Sequence, residues 1–70
     1  FSTYYPMNSL DTYTDAGTKA GTAARRKDMN TVTFHQSWCN RAVAMEPENR
    51  KAECREAFRQ AYREAAGFQR

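Results

Sequence analysis

Long apolar runs are missing from this sequence. No stretch approaches the ~18 apolar residues needed to cross a bilayer, and none has the form of a secretory h-region. Core-building side chains are scarce as well. Hydrophobic residues make up 40% of the 70 residues, the mean hydropathy is -0.96, and residues 1–30 hold one leucine, Leu10. A chain of 8.1 kDa has room for one small domain at most, and domains of about 60 residues fold with little to spare. The sequence has only two cysteines, too few for a disulfide-dense secreted scaffold. There is no grouping of nucleophile, base and orienting residue, which points away from an enzyme. A dominant charge is absent too. Eleven Lys and Arg against eight Asp and Glu give +3 and a pI near 9.1, too mild to imply nucleic acid.

What is present is unevenly spread. Residues 1–22, FSTYYPMNSLDTYTDAGTKAGT, are rich in Thr, Ser, Tyr, Asp and Gly. Their apolar positions follow neither the helical nor the strand period. Pro6 biases Tyr5 toward an extended backbone, and Gly17 and Gly21 each weaken a helix by about 1 kcal/mol. The expectation is an extended, irregular arm over residues 1–30 without a core of its own. The echo AGTKAGT is too short for a structural repeat. GTKAGTAARRK lacks the Gly-Lys-[Ser/Thr] ending and the preceding strand of a phosphate loop, and reads as a flexible tether. Phe1, Tyr4, Tyr5 and Tyr13 read as anchors on a partner, because an aromatic ring with a polar tip suits a protein interface. Residues 1–22 carry one cation, Lys19, against Asp11 and Asp15, which favours protein over nucleic acid. The first residue is Phe1, which suggests a removed leader.

Residues 31–70 read as an all-α helical hairpin. Asp28, Asn30 and Thr33 are candidate caps, and Thr33 with Gln36 fits a capping box. Phe34, Trp38, Ala42 and Met45 fall on one helical stripe. Glu46 precedes Pro47, which ends the first helix and opens a second. Cys54, Phe58, Ala61, Tyr62 and Ala65 then form the second stripe, and Gly67 stops the helix near Ala66.

The two cysteines stand symmetrically about that break. Cys39 lies seven residues before Glu46 and Cys54 seven after Pro47, which sets both about 10 Å from the turn. In antiparallel helices they face each other, and the expected disulfide closes a loop whose entropy amounts to around 3 kcal/mol. A helical hairpin stapled by cysteines resembles the small mitochondrial coiled-coil-helix proteins. Those carry two Cys-x9-Cys elements, whereas this chain has a single Cys-x14-Cys, so the likeness extends to the device and not to membership.

Arg55, Arg59 and Arg63 recur every four residues beside Phe58 and Tyr62, with Lys51 one turn earlier and Glu53, Glu56 and Glu64 opposite. Like charges at that spacing repel, so the ridge invites an acidic surface, or an RNA backbone as the alternative, unless it is simply a solvated face. His35 and Cys39 share a face, and with Cys54 make three of the four ligands that a structural zinc site requires; no fourth is evident. No metal or cofactor is expected. The sequence reading is a structural accessory or linker subunit of a large multi-subunit assembly, touching other proteins through Phe1, Tyr4, Tyr5, Tyr13, Phe34, Trp38, Arg55, Phe58, Arg59, Tyr62 and Arg63. The expected location is an organelle, mitochondrion or plastid, in a membrane-associated complex that the chain itself does not span. A small RNA-contacting ribosomal protein and a secreted hairpin peptide are the alternatives.

Overall fold

The structure, a computed structural model, describes residues 10–67. Within them the chain is all-α and forms three helices, not two: α1 over Leu10–Arg25, α2 over Met29–Ala44 and α3 over Glu48–Ala66. The boundaries follow from local chemistry. α1 closes in a Schellman turn, where the Lys27 N–H donates to the Ala24 carbonyl and the Asp28 N–H to the Ala23 carbonyl. Lys27 adopts φ 62 there, a left-handed conformation that costs a residue with a Cβ about 1–2 kcal/mol. Asp28 then caps α2. Its carboxylate accepts the Thr31 hydroxyl at 2.6 Å and the Thr31 N–H at 3.3 Å, which holds its pKa below the ordinary 3.8. The helix therefore starts ahead of the Thr33 capping box.

The expected break at 46–47 is present. Pro47 is the N-cap of α3, with extended φ −61 and ψ 153. Glu48 sits in the first turn, where a carboxylate meets the positive end of the helix dipole. Lys51 reaches back to cap α2, its Nζ donating to the Ala44 carbonyl at 3.1 Å. Gly67 ends α3 with φ 88, the left-handed region that glycine enters freely.

The N-terminal expectation requires correction. Residues 10–25, read as part of an extended arm, form a 16-residue helix, and residues 1–9 lie outside the described residues. The reason is a seam of small residues. Ala16, Gly17, Ala20, Gly21 and Ala23 are buried along α1. A methyl group built on Gly17 would meet the Phe58 carbonyl oxygen and the Ala61 Cβ, and one on Gly21 would meet the Tyr62 carbonyl oxygen and the Ala65 Cβ. Glycine thus lets the two backbones touch, a form of packing also used where helices associate without large side chains. The pairing of 17 with 58–61 and 21 with 62–65 also shows that α1 and α3 run in the same direction. The chain doubles back through α2 to allow this.

The hydrophobic centre is compact: Tyr13, Cys39, Val43 and Cys54 are buried together, with Trp38, Ala42, Ala57 and Phe58 packed against them. The Tyr13 and Trp38 rings lie 5.3 Å apart and tilted. The Tyr13 hydroxyl donates to Glu46 Oε2 at 2.9 Å, inside the core. Glu46 Oε1 lies 3.5 Å from Arg50 Nη1, within ion-pair range but without hydrogen-bond geometry.

Candidate docking surface

The position of α1 reshapes the predicted hairpin. α3 packs most closely on α1, and α2 stands off from α3. The apolar stripe of α3 is consequently divided. Cys54 and Ala61 are buried, and Ala61 and Ala65 receive the glycine seam of α1. Phe58 and Tyr62 turn toward the space left beside α2.

That space is a groove of about 350 Å3, open to solvent, between Gln36, Cys39 and Asn40 on α2 and Arg55, Phe58, Arg59 and Tyr62 on α3. The Phe58 and Tyr62 rings lie nearly parallel, 11° between planes and 6.4 Å between centroids. Arg55 and Arg59 are exposed, and none of the ion pairs among the described residues includes either of them. Glu56, well spaced to neutralise Arg59, is not bridged to it. Of the partner-binding residues expected from sequence, the groove unites Arg55, Phe58, Arg59 and Tyr62. Arg63 is exposed but lies outside it. Lys51, the start of the expected basic ridge, is engaged on the α2 carbonyls.

A second surface lies on the other side of α2. Phe34, expected to contact a partner, and Met45, on the same predicted stripe, are 65% and 83% exposed. The positions buried in α2 are Val32, Cys39 and Val43, about a third of a turn around the helix from the predicted stripe. The direction of α1 explains the shift: Trp38 meets Tyr13, a residue that a two-helix reading leaves out. Phe34, His35 and Trp38 border a shallow α1–α2 depression of about 310 Å3 beside Asp15 and Lys19. Those two form an exposed ion pair at 3.1 Å. His35 packs edge-on against Phe34, 5.1 Å between ring centroids.

The remaining sequence candidates fall elsewhere. Tyr13, read as an anchor on a partner, is fully buried at the centre of the molecule. Phe1, Tyr4 and Tyr5 lie outside the described residues. The expected disulfide is not formed: Cys39 and Cys54 are both free and buried. The Tyr13 ring shares the core with both thiols. Burial raises both thiol pKa values above the ordinary 9.0; the Glu46 carboxylate adds to the effect at Cys54, and the Arg55 guanidinium opposes it at Cys39. Among the described residues no three of His, Cys, Asp and Glu converge to hold a metal, and no helix is long and apolar enough to cross a membrane. Asn40 was not singled out from sequence, and Gln36 was read only as the capping-box partner of Thr33. Their four-residue spacing, matching that of Arg55 and Arg59, was the available signal.

The chain matches no known family. No protein-family model fits it, and no curated protein or solved structure is significantly similar to it.

Proposed function

We propose that this protein is a non-catalytic accessory subunit that stabilises a large multi-subunit assembly by docking against neighbouring proteins. The observation that carries the reading is the exposure of Phe34 on α2 and of Met45 at its C-cap. Phe34 at 65% and Met45 at 83% exposure are large apolar side chains left in water by a chain with few of them. Burying such a side chain against a partner contributes about 1.5–3 kcal/mol, and exposed apolar patches rimmed by polar groups mark interaction sites. The open α2–α3 groove adds a second contact region of different chemistry. An organellar membrane-associated complex, respiratory or photosynthetic, is the proposed setting; it extends the sequence reading.

The test is native electrophoresis of organelle fractions from cells carrying the tagged chain. Comigration with a high-mass complex in stoichiometric amount is expected. Replacing Phe34 by serine should release the chain from the complex while leaving its helical content unchanged. Migration of the wild-type chain as a free 8.1 kDa species throughout would rule the reading out, and enrichment outside mitochondria and plastids would rule out its setting. RNA dependence of the complex, shown by nuclease sensitivity, would favour the ribosomal alternative.

A further inference from the structure

We infer that the α2–α3 groove receives an acidic amphipathic helix of a partner protein, with Arg55 and Arg59 pairing carboxylates one turn apart and Phe58 and Tyr62 taking the apolar side chain between them. The inference rests on the docking reading above and specifies the chemistry of one of its surfaces.

Charge complementarity selects the occupant. No carboxylate lines the groove, and the ion pairs among the described residues leave Arg55 and Arg59 out. Arg25, Arg26, Lys27, Arg41 and Arg63 likewise enter no ion pair among the described residues; what sets Arg55 and Arg59 apart is that both line one groove beside two aromatic rings. Three cations are engaged elsewhere. Lys19 is paired with Asp15, Arg50 with Glu46 and Glu53, and Lys51 with the end of α2. Two guanidiniums at i, i+4 repel each other, and nothing within the groove relieves them. A pair of carboxylates would, through the forked bonding that suits arginine.

Spacing selects the form. Each pair on α3, the arginines and the aromatics, recurs every four residues, about 6 Å along the helix axis. A helical partner presents its own i, i+4 side chains at the same interval. One registration therefore satisfies both arginines and sets an intervening apolar residue over the stacked Phe58 and Tyr62 rings. On the facing wall Gln36 and Asn40 repeat at the same spacing and offer neutral amides, so no opposing charge repels the acidic helix. A phosphate backbone fits less well: only two cations line the groove, and the outer side of α3 carries exposed Glu53, Glu56 and Glu64.

The experiment uses the full chain and fluorescence anisotropy. The probe is a labelled helical peptide with glutamates four residues apart and leucines between them. Its comparators are a twin with lysine for each glutamate, a single-stranded RNA oligonucleotide and phosphatidylserine vesicles. The acidic helix should bind saturably, one to one, about tenfold or more tighter than its lysine twin. The double variant Arg55→Glu/Arg59→Glu should reverse that preference. The milder Arg55→Gln/Arg59→Gln pair should abolish it, and serves if charge reversal unfolds the chain. Tighter binding of RNA or vesicles, occupation of the groove by a second copy of the chain in sedimentation, or acidic-helix binding that neither double variant alters would each overturn the inference. Phe34→Ser separates the two proposals: it should keep peptide binding while losing the assembly. Failure of the peptide with comigration intact removes only the groove's role; loss of comigration with peptide binding intact removes only the assembly reading.

Discussion

Replacing Gly21 by alanine would put a methyl group where α1 lies against the backbone of α3. The new Cβ would stand 2.5 Å from the Tyr62 carbonyl oxygen, 2.6 Å from the Ala65 Cβ and 2.9 Å from the Ala66 nitrogen, whereas ordinary contact begins at 3.4 Å. Two of the three obstacles are backbone atoms, which no rotamer change can move. α1 must therefore back away from α3 by roughly 1 Å, and overpacking of this kind costs about 1–3 kcal/mol. Helix propensity acts in the opposite direction, since alanine is better than glycine in a helix interior by about 0.8–1 kcal/mol. Retreat of α1 also pulls on Tyr13, which lies on the same helix and is fully buried. The net expectation is a loss of about 1–2 kcal/mol. For a domain of this size each kcal/mol lowers the melting midpoint by about 4–8 °C. Gly17→Ala should have the same sign, because its Cβ would run into the Phe58 carbonyl oxygen, and the two losses should not add, since both variants move the same helix. The assay is thermal and urea unfolding followed by far-ultraviolet circular dichroism. Gly67→Ala is the contrast: nothing lies within 4 Å of its Cβ, so only the strain of φ 88 is felt. If Gly21→Ala is as stable as the wild type or more so, α1 is a helix by propensity alone and the seam argument fails.

Tyr13→Phe removes the donor to the buried Glu46 carboxylate and should lower stability by about 1–3 kcal/mol. A double-mutant cycle with Glu46→Gln should show coupling between the two positions, and a coupling energy near zero would exclude the hydrogen bond. Lys27→Gly should stabilise the chain by about 1 kcal/mol, since the left-handed C′ position is free of strain only for glycine; an unchanged urea midpoint would contradict the Schellman turn. Both thiols have raised pKa values when folded, so the unfolded chain loses its thiol protons first as pH rises. Stability should therefore be flat with respect to these groups at neutral pH and fall as pH climbs through the ordinary thiol value of 9.0. Iodoacetamide should react slowly with the folded chain at neutral pH, and alkylation at the rate of a free thiol would show that neither cysteine is buried.

Legibility in the sequence varied from one part of the chain to another. The Glu46-Pro47 break, the Gly67 stop and the all-helical character of the second half could be read because each depends on a few adjacent residues. Asp28 was among the candidate caps, and choosing it over Thr33 required knowing that α1 ends with its backbone already turned into Asp28. Arg55, Phe58, Arg59 and Tyr62, read as neighbours on one face of α3, line one groove, and Arg63, read with them, lies outside it. The side of the fold they occupy was not legible, because the same stripe also carries Cys54, Ala61 and Ala65. Of the predicted stripe, Phe34 and Met45 are exposed and Trp38 and Ala42 pack against the core edge, while the smaller Val32, Cys39 and Val43 enter the interior. Side-chain size was a poor guide because the core is built around Tyr13 from the neighbouring helix.

Local sequence alone determined where α2 gives way to α3 and where α3 stops, because proline geometry and the left-handed freedom of glycine act within a residue or two of where they occur. Only the tertiary structure decided that residues 10–25 are a helix. Glycine disfavours a helix taken by itself, and becomes the best residue when a second backbone lies against it, as α3 does at Gly17 and Gly21. The same contact decided the rest. With α1 holding one side of α3, α2 does not close over the other, and the aromatic and arginine face remains open.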